Sequence, residues 1–150
     1  MTGRADFYVL KSATAKQRWE FACRLTEKAY LRNLSVLVLT ETLADAELLD
    51  ELLWTFSERS FVPHLICRDA QSADPATPVH LAMEQSATRT VDLLVNLTSR
   101  VPKHIEQLPR IAEVIDADEE RRRLGRERFK SYRDLKMTLQ THQLDQSAWS

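Results

Sequence analysis

A chain of 150 residues, 43% hydrophobic and 29% charged, fits a single domain able to bury its own core without disulfide or metal staples. No apolar run approaches the roughly 20 residues of a membrane-spanning helix. The N-terminal MTGRADFYVLKSATAK lacks a small-residue cleavage site after its short apolar core, so a cytoplasmic protein is expected. A formal net charge of −1 gives no overall attraction to nucleic acid, which leaves local patches as the places where a charged partner would bind.

Asp6–Leu10 (DFYVL) predicts a strand, and Ala15–Leu31 a helix whose Trp19, Ala22, Cys23, Thr26 and Tyr30 form one buried stripe. Leu34–Leu39 (LSVLVL) predicts the next strand. Ala44–Ser57 predicts a helix with Leu49, Leu52, Leu53 and Phe56 facing inward, followed by a strand at His64–Cys67. A polar loop over Arg68–Thr77 leads to a short edge segment, Val79–Leu81, and then to a strand at Val91–Val95. Val101–Pro102 predicts the start of a short helix, since proline suits its first turn. Ile111–Ile115 predicts another strand. The last helix is expected to open with Asp116 and Glu119 in capping-box spacing and to run to about Lys136. Beyond Thr138 periodicity is lost, and residues 139–150 are expected to be an irregular tail.

Several of these strands are continuous apolar runs, the pattern of strands covered on both faces. With β-α-β-α-β order and right-handed crossovers they predict one domain over residues 1–150. Its class is a three-layer α/β/α domain around a largely parallel, Rossmann-like sheet. Such a sheet commonly holds nucleotides through glycine-rich turns, but only Gly3 and Gly125 exist here and neither follows a strand. There is no GxGxxG, no GxxxxGK[ST] and no GxSxG. His64, His80, His104 and His142 share no metal-ligand spacing, and Cys23 and Cys67 read as buried free thiols. Asp45, Glu47, Asp50 and Glu51 read as a solvated helix face. A non-catalytic protein with no cofactor and no metal is expected.

Two surfaces stand out. From Glu119 to Arg133 seven Lys and Arg face three Glu. Arg122, Arg126, Phe129, Lys130 and Arg133 share about a 100° arc of the helix, a basic face with an aromatic set into it. Leu124, Tyr132 and Leu135 are expected to anchor the opposite side, where Arg128 binds an acid or a carbonyl. Gly125, costly in mid-helix by about 1 kcal/mol relative to Ala, reflects either a close neighbour or a tolerant position. The second surface centres on Trp54, which lies off the leucine stripe of its helix. It is either covered by its own loop or exposed with Phe61, Val62 and Pro63 as an aromatic patch of the kind found at protein interfaces.

Through FYVL, LLDELLW, SFVPH, DLLVNL and above all LGRERFKSYR, the chain resembles the chi subunit of bacterial DNA polymerase III. The resemblance extends to about Tyr132. It implies a non-catalytic accessory protein of the clamp-loader complex that works in DNA replication at the bacterial replication fork. It also implies two partners on separate surfaces: the acidic, Phe-terminated C-terminal tail of single-stranded DNA-binding protein, and the psi subunit. Carried onto this sequence, tail binding falls on Arg122, Arg126, Phe129 and Lys130 with Arg133 beside them, Phe129 standing where Tyr is more usual. Psi binding falls on Trp54, Phe61, Val62 and Pro63, a patch that a helicase-like partner could share. The alternative reading is a direct single-stranded nucleic-acid-binding module that uses the same basic helix.

Overall fold

The structure is a computed structural model and describes residues 3–11, 14–57, 61–68, 76–85 and 90–144. In chain order the elements are β1 (Arg4–Leu10), α1 (Ala15–Leu31), β2 (Val36–Leu39), α2 (Leu43–Thr55), β3 (His64–Cys67) and β4 (Val79–Ala82). They continue with β5 (Leu93–Asn96), a 3-10 turn (Ile105–Gln107), β6 (Arg110–Ile115), α3 (Glu119–Asp134) and β7 (Thr138–Leu144). The strands form one sheet in the order β3-β4-β2-β5-β6-β1-β7, and every pairing is parallel.

The continuous apolar runs have a simple cause: alternate residues of each strand feed different cores. Val36, Val38, Val95 and Val114 pack with Phe21, Ala22, Leu49 and Leu53 of α1 and α2 on one face. Leu37, Leu39, Leu94 and Ile111 pack with Tyr132 of α3 on the other. The α/β/α layering expected from the sequence is therefore present, with α1 and α2 on one side and α3 on the other.

Capping sets where the helices begin and end. Thr14 and Gln17 make a reciprocal capping box at α1, and Thr42 caps α2 through the Asp45 amide at 3.1 Å. α3 is capped by Asp118, whose carboxylate accepts from the Arg121 amide at 2.9 Å, and not by Asp116 as the spacing suggested. Asp116 is drawn away from that role by the Arg121 side chain, which donates to both its carboxylate oxygens at 2.8 and 2.6 Å. α1 and α3 both end with a left-handed residue, Asn33 (φ 64°) and Lys136 (φ 62°), followed by an amide that reaches back to the last turn. These are Leu34 N to Ala29 O and Met137 N to Tyr132 O, each 3.1 Å.

Four expectations need correction. Val79–Ala82 is not an edge but the fully buried second strand, because the half-buried β3 takes the edge. The segment from Thr138 is not irregular up to Leu144: it is β7, paired along the whole of β1. Its side chains are half exposed, so its order comes from backbone pairing and leaves little hydrophobic period to read. No helix starts at Val101–Pro102; a single 3-10 turn follows three residues later, after His104 adopts a left-handed conformation. Leu135 does not anchor α3 but is 47% exposed at its end, where the turn at Lys136 delivers Met137 to the core instead. Residues 69–75 of the expected polar loop and 145–150 of the expected tail lie outside the described residues.

The inward stripe of α1 is also rotated from the expected one, with Arg18, Phe21, Ala22, Cys23, Thr26 and Ala29 buried and Trp19 and Tyr30 half-buried. Burial pushes the Cys23 thiol up to about 12, which makes it inert at neutral pH. Cys67 is half-buried rather than buried.

Candidate partner-binding surfaces

α3 is fixed to the sheet by Gly125, Arg128 and Tyr132, spaced i, i+3 and i+7 and all buried. A Cβ at Gly125 would lie 2.8 Å from Ile115 Cδ1, so the close-neighbour account of that glycine holds. Arg128 lies inward as expected and does both things foreseen for it. Its Nε donates to Glu113 Oε1 at 3.1 Å and its Nη1 to the Ser99 carbonyl at 3.2 Å.

The basic charge of this helix is unevenly committed. Arg121 is bound to Asp116, and Arg123 sits between Glu120 and Glu127, donating to each at 3.0 Å. The Asp116 carboxyl is pulled up by burial, but the Arg121 hydrogen bonds and charge outweigh this and hold it below its ordinary value. Arg122 is half-buried. Its Nε donates to the Asp116 carbonyl at 3.0 Å while its Nη2 lies 3.4 Å from the Leu10 and Lys11 carbonyls, so it ties the start of α3 to the end of β1. Arg126, Lys130 and Arg133, spaced i, i+4 and i+7, are exposed and have no acidic partner among the described residues. Phe129 lies within their arc, half-buried and edge-on to Phe7 with ring centroids 5.2 Å apart. The result is a three-cation face around an aromatic whose inner edge belongs to the core.

The second surface lies elsewhere. Trp54 is 48% and Phe61 63% exposed, their rings 5.4 Å apart, and His64 lies 4.5 Å from the indole. The His64 imidazole is held from behind, with Nδ1 2.6 Å from the Val62 carbonyl and Nε2 3.1 Å from the Asp50 carbonyl. Of the two sequence alternatives for Trp54, the exposed patch is the one the structure shows. Val62 does not share it: this residue is fully buried in the α1/α2 core, its side chain turned inward as the strand entry alternates, and Pro63 is half-buried. Because α2 packs on β3 and β4 while α3 packs on β6 and β7, the two surfaces occupy opposite faces and opposite ends of the sheet.

Sequence reasoning missed the polar centre beneath α3. Asn96 and Glu113 are register partners on β5 and β6, and both are fully buried. The Glu113 carboxylate accepts from Arg128, from Tyr132 Oη at 2.6 Å and from Asn96 Nδ2 at 2.9 Å. Thr98 closes the network by donating to Asn96 Oδ1. The visible signal was a lone acid in IAEVI and a lone amide in LLVN, polar residues in otherwise apolar strands. Among the described residues no group of three or more His, Cys, Asp or Glu is placed to hold a metal.

An all-parallel α/β domain with an exposed basic helix face near one end of its sheet, an exposed aromatic patch near the other, and a buried polar centre tying α3 to the sheet is the class of protein this geometry defines. Residues 1–140 match the model of the family described as DNA polymerase III chi subunit, HolC, and the chain belongs to that family. It is an accessory, non-catalytic subunit of a replicative polymerase. The DNA polymerase III subunit chi of Pseudomonas aeruginosa is 34% identical over 141 residues, covering 94% of this chain and 96% of its own. That of Haemophilus influenzae is 28% identical over 134 residues (89% and 92%), and that of Escherichia coli 24% over 141 (91% and 95%). Among solved structures, T4 UvsW superposes with a TM-score of 0.67 at 10% identity. It covers 96% of this chain and 42% of the UvsW chain, a likeness of fold alone.

Proposed function

We propose that the protein works in the cytoplasm as an adaptor of the polymerase III clamp-loader complex. The α3 face holds the acidic C-terminal tail of single-stranded DNA-binding protein, and the Trp54–Phe61 patch holds the psi subunit. The observation that carries the first half is the set of three exposed cations, Arg126, Lys130 and Arg133, that no acid of the described chain neutralises, while their neighbours Arg121, Arg123 and Arg128 are all paired. An arginine there can grip a terminal carboxylate through two parallel hydrogen bonds, and the flank of Phe129 offers apolar surface to a terminal phenyl ring. The second half rests on two large aromatics left together in solvent beside a rigidly held histidine.

Calorimetric titration with a peptide of the host binding protein's C-terminal sequence tests the first half. Arg126→Ala is expected to weaken binding on the order of tenfold to a hundredfold, as the loss of a charge-assisted pair does, with the thermal transition unchanged. Affinity should also fall as salt is raised. Unchanged affinity in Arg126→Ala removes that residue from the site. Retention of naked single-stranded DNA in a gel shift, without the binding protein, would favour the direct nucleic-acid module instead.

A further inference from the structure

At the carboxyl ends of β5 and β6 the sheet opens into a crevice of about 340 Å³, walled by α1, the start of α2 and α3. It lies at the switch point of the fold, where the chain leaving β2 turns to one side and the chain leaving β5 to the other, the place where open parallel sheets bind ligands. Arg18 reaches into it from α1 and is only 6% exposed. Its Nε donates to the Val114 carbonyl at 2.9 Å and one terminal nitrogen to the Leu97 carbonyl at 3.2 Å, both neutral acceptors. The other terminal nitrogen makes no hydrogen bond, and no carboxylate forms an ion pair with this guanidinium among the described residues.

The other charged groups facing the crevice are accounted for. Arg121 is bound to Asp116, Arg128 to Glu113, and Glu41 accepts from Ser99 and Arg100. Asp45, half-buried in the first turn of α2, is the remaining wall residue whose carboxylate has no hydrogen-bonded partner there. A buried cation is ordinarily paired, and burial, helped by the charges of Arg121 and Arg128, has lowered the Arg18 pKa to about 10, only partly offset by the charges of Asp116 and Glu113.

We propose that this crevice binds a small phosphate- or carboxylate-bearing molecule, its acid group on the uncommitted nitrogen of Arg18 and a hydroxyl or amine on Asp45. Side chains, not a glycine-rich turn, build the site, so it is invisible to any phosphate-loop motif. It is separate from the exposed cations of α3 and does not rest on the tail-binding reading.

The test is an NMR titration of the full chain, following the Arg18 Nε–H and Trp19 indole N–H signals, since the Trp19 ring lies 5.3 Å from the Arg18 guanidinium carbon. Inorganic phosphate, citrate and AMP are the probes. Phosphate and citrate separate the two acid chemistries, and AMP adds hydroxyl donors. Saturable movement of both signals with any probe, weakened about tenfold or more in Arg18→Met, is the expected result. AMP should lose its advantage over phosphate in Asp45→Asn. Should Arg18→Met fail to fold, Arg18→Lys, which keeps the charge but not the reach, is expected to weaken the same titration. No movement of either signal up to tens of millimolar of all three probes would overturn the proposal. So would equal affinity in the folded Arg18 variant, or shifts confined to α3.

Discussion

Glu113 stands in the middle of β6 with three partners that all donate to it, the guanidinium of Arg128, the hydroxyl of Tyr132 and the amide of Asn96. Burial pushes its pKa up, and these donors together with the Arg128 charge oppose that rise. A carboxylate suits three donors and an amide does not. Glu113→Gln is therefore expected to cost about 3–5 kcal/mol in urea unfolding, because it strands Arg128 as a buried cation and turns an NH2 group toward other donors. Tyr132→Phe removes a single donor and should cost less, about 1–3 kcal/mol. A near-neutral Glu113→Gln would mean that the acid is protonated in the native protein. Asp6 offers a pH handle on the opposite face. Burial raises its pKa, but hydrogen bonds from Arg4, His142 and Arg110 bring it below the ordinary 3.8. A depressed acid lends stability that is complete above 3.8 and is lost as pH falls through the lower native value. The urea midpoint should thus drop as pH falls below about 4, and Asp6→Asn should flatten that drop. Both acids were visible in the sequence, Glu113 as an interruption of the apolar run IAEVI and Asp6 as the acid that heads DFYVL. Their partners were not, since which side chains turn onto each acid depends on how α3 and β7 dock on the sheet.

At the scale of elements, the close of α3 shows how backbone conformation sets what is exposed. Lys136 adopts φ 62° so that Met137 can bond back to Tyr132, and a side chain at that angle carries a steric cost that glycine avoids. Lys136→Gly is expected to raise stability by about 0.5–1 kcal/mol in thermal unfolding, with tail binding unaffected. Gly3 marks the reverse case: a Cβ there would collide with the Leu108 carbonyl oxygen, where β1 begins against the segment entering β6. Helices were legible because their stripes carry a strong 3.6-residue period, and α1 keeps its predicted limits even though its inward face is turned. β7 was not legible, because a half-exposed edge strand such as TLQTHQL shows no period to find. β4 was misplaced for a related reason: a run of four residues says that it is buried but not where in the sheet it lies. On the two candidate surfaces the sequence found the basic arc and the Trp54 patch. It could not separate the exposed Arg126, Lys130 and Arg133 from Arg122, nor the solvent-facing Phe61 from Val62, because those distinctions depend on what each side chain meets in the fold.

For the molecule as a whole, the sheet acts as a spacer. β3 and β4 beneath α2, and β6 and β7 beside α3, lie near opposite edges of a seven-strand order, so strands about 4.8 Å apart keep the two surfaces roughly 20 Å from each other. Sites so far apart with no shared side chains are expected to act independently. Titrating the tail peptide into protein already saturated with psi should return the affinity of the free protein within about twofold, and a larger change would show coupling through the sheet. The parallel order has one more consequence, which concerns timing. β1 is made before the other six described strands, yet Arg4 pairs with Arg110 on one side and Thr138 on the other. One of its edges stays bare until β6 has been made, and the other until β7, at the end of the described chain. The earliest segment is thus the last to gain its hydrogen-bonding neighbours, and during synthesis an apolar strand with two open edges is the part of this protein most exposed to mispairing.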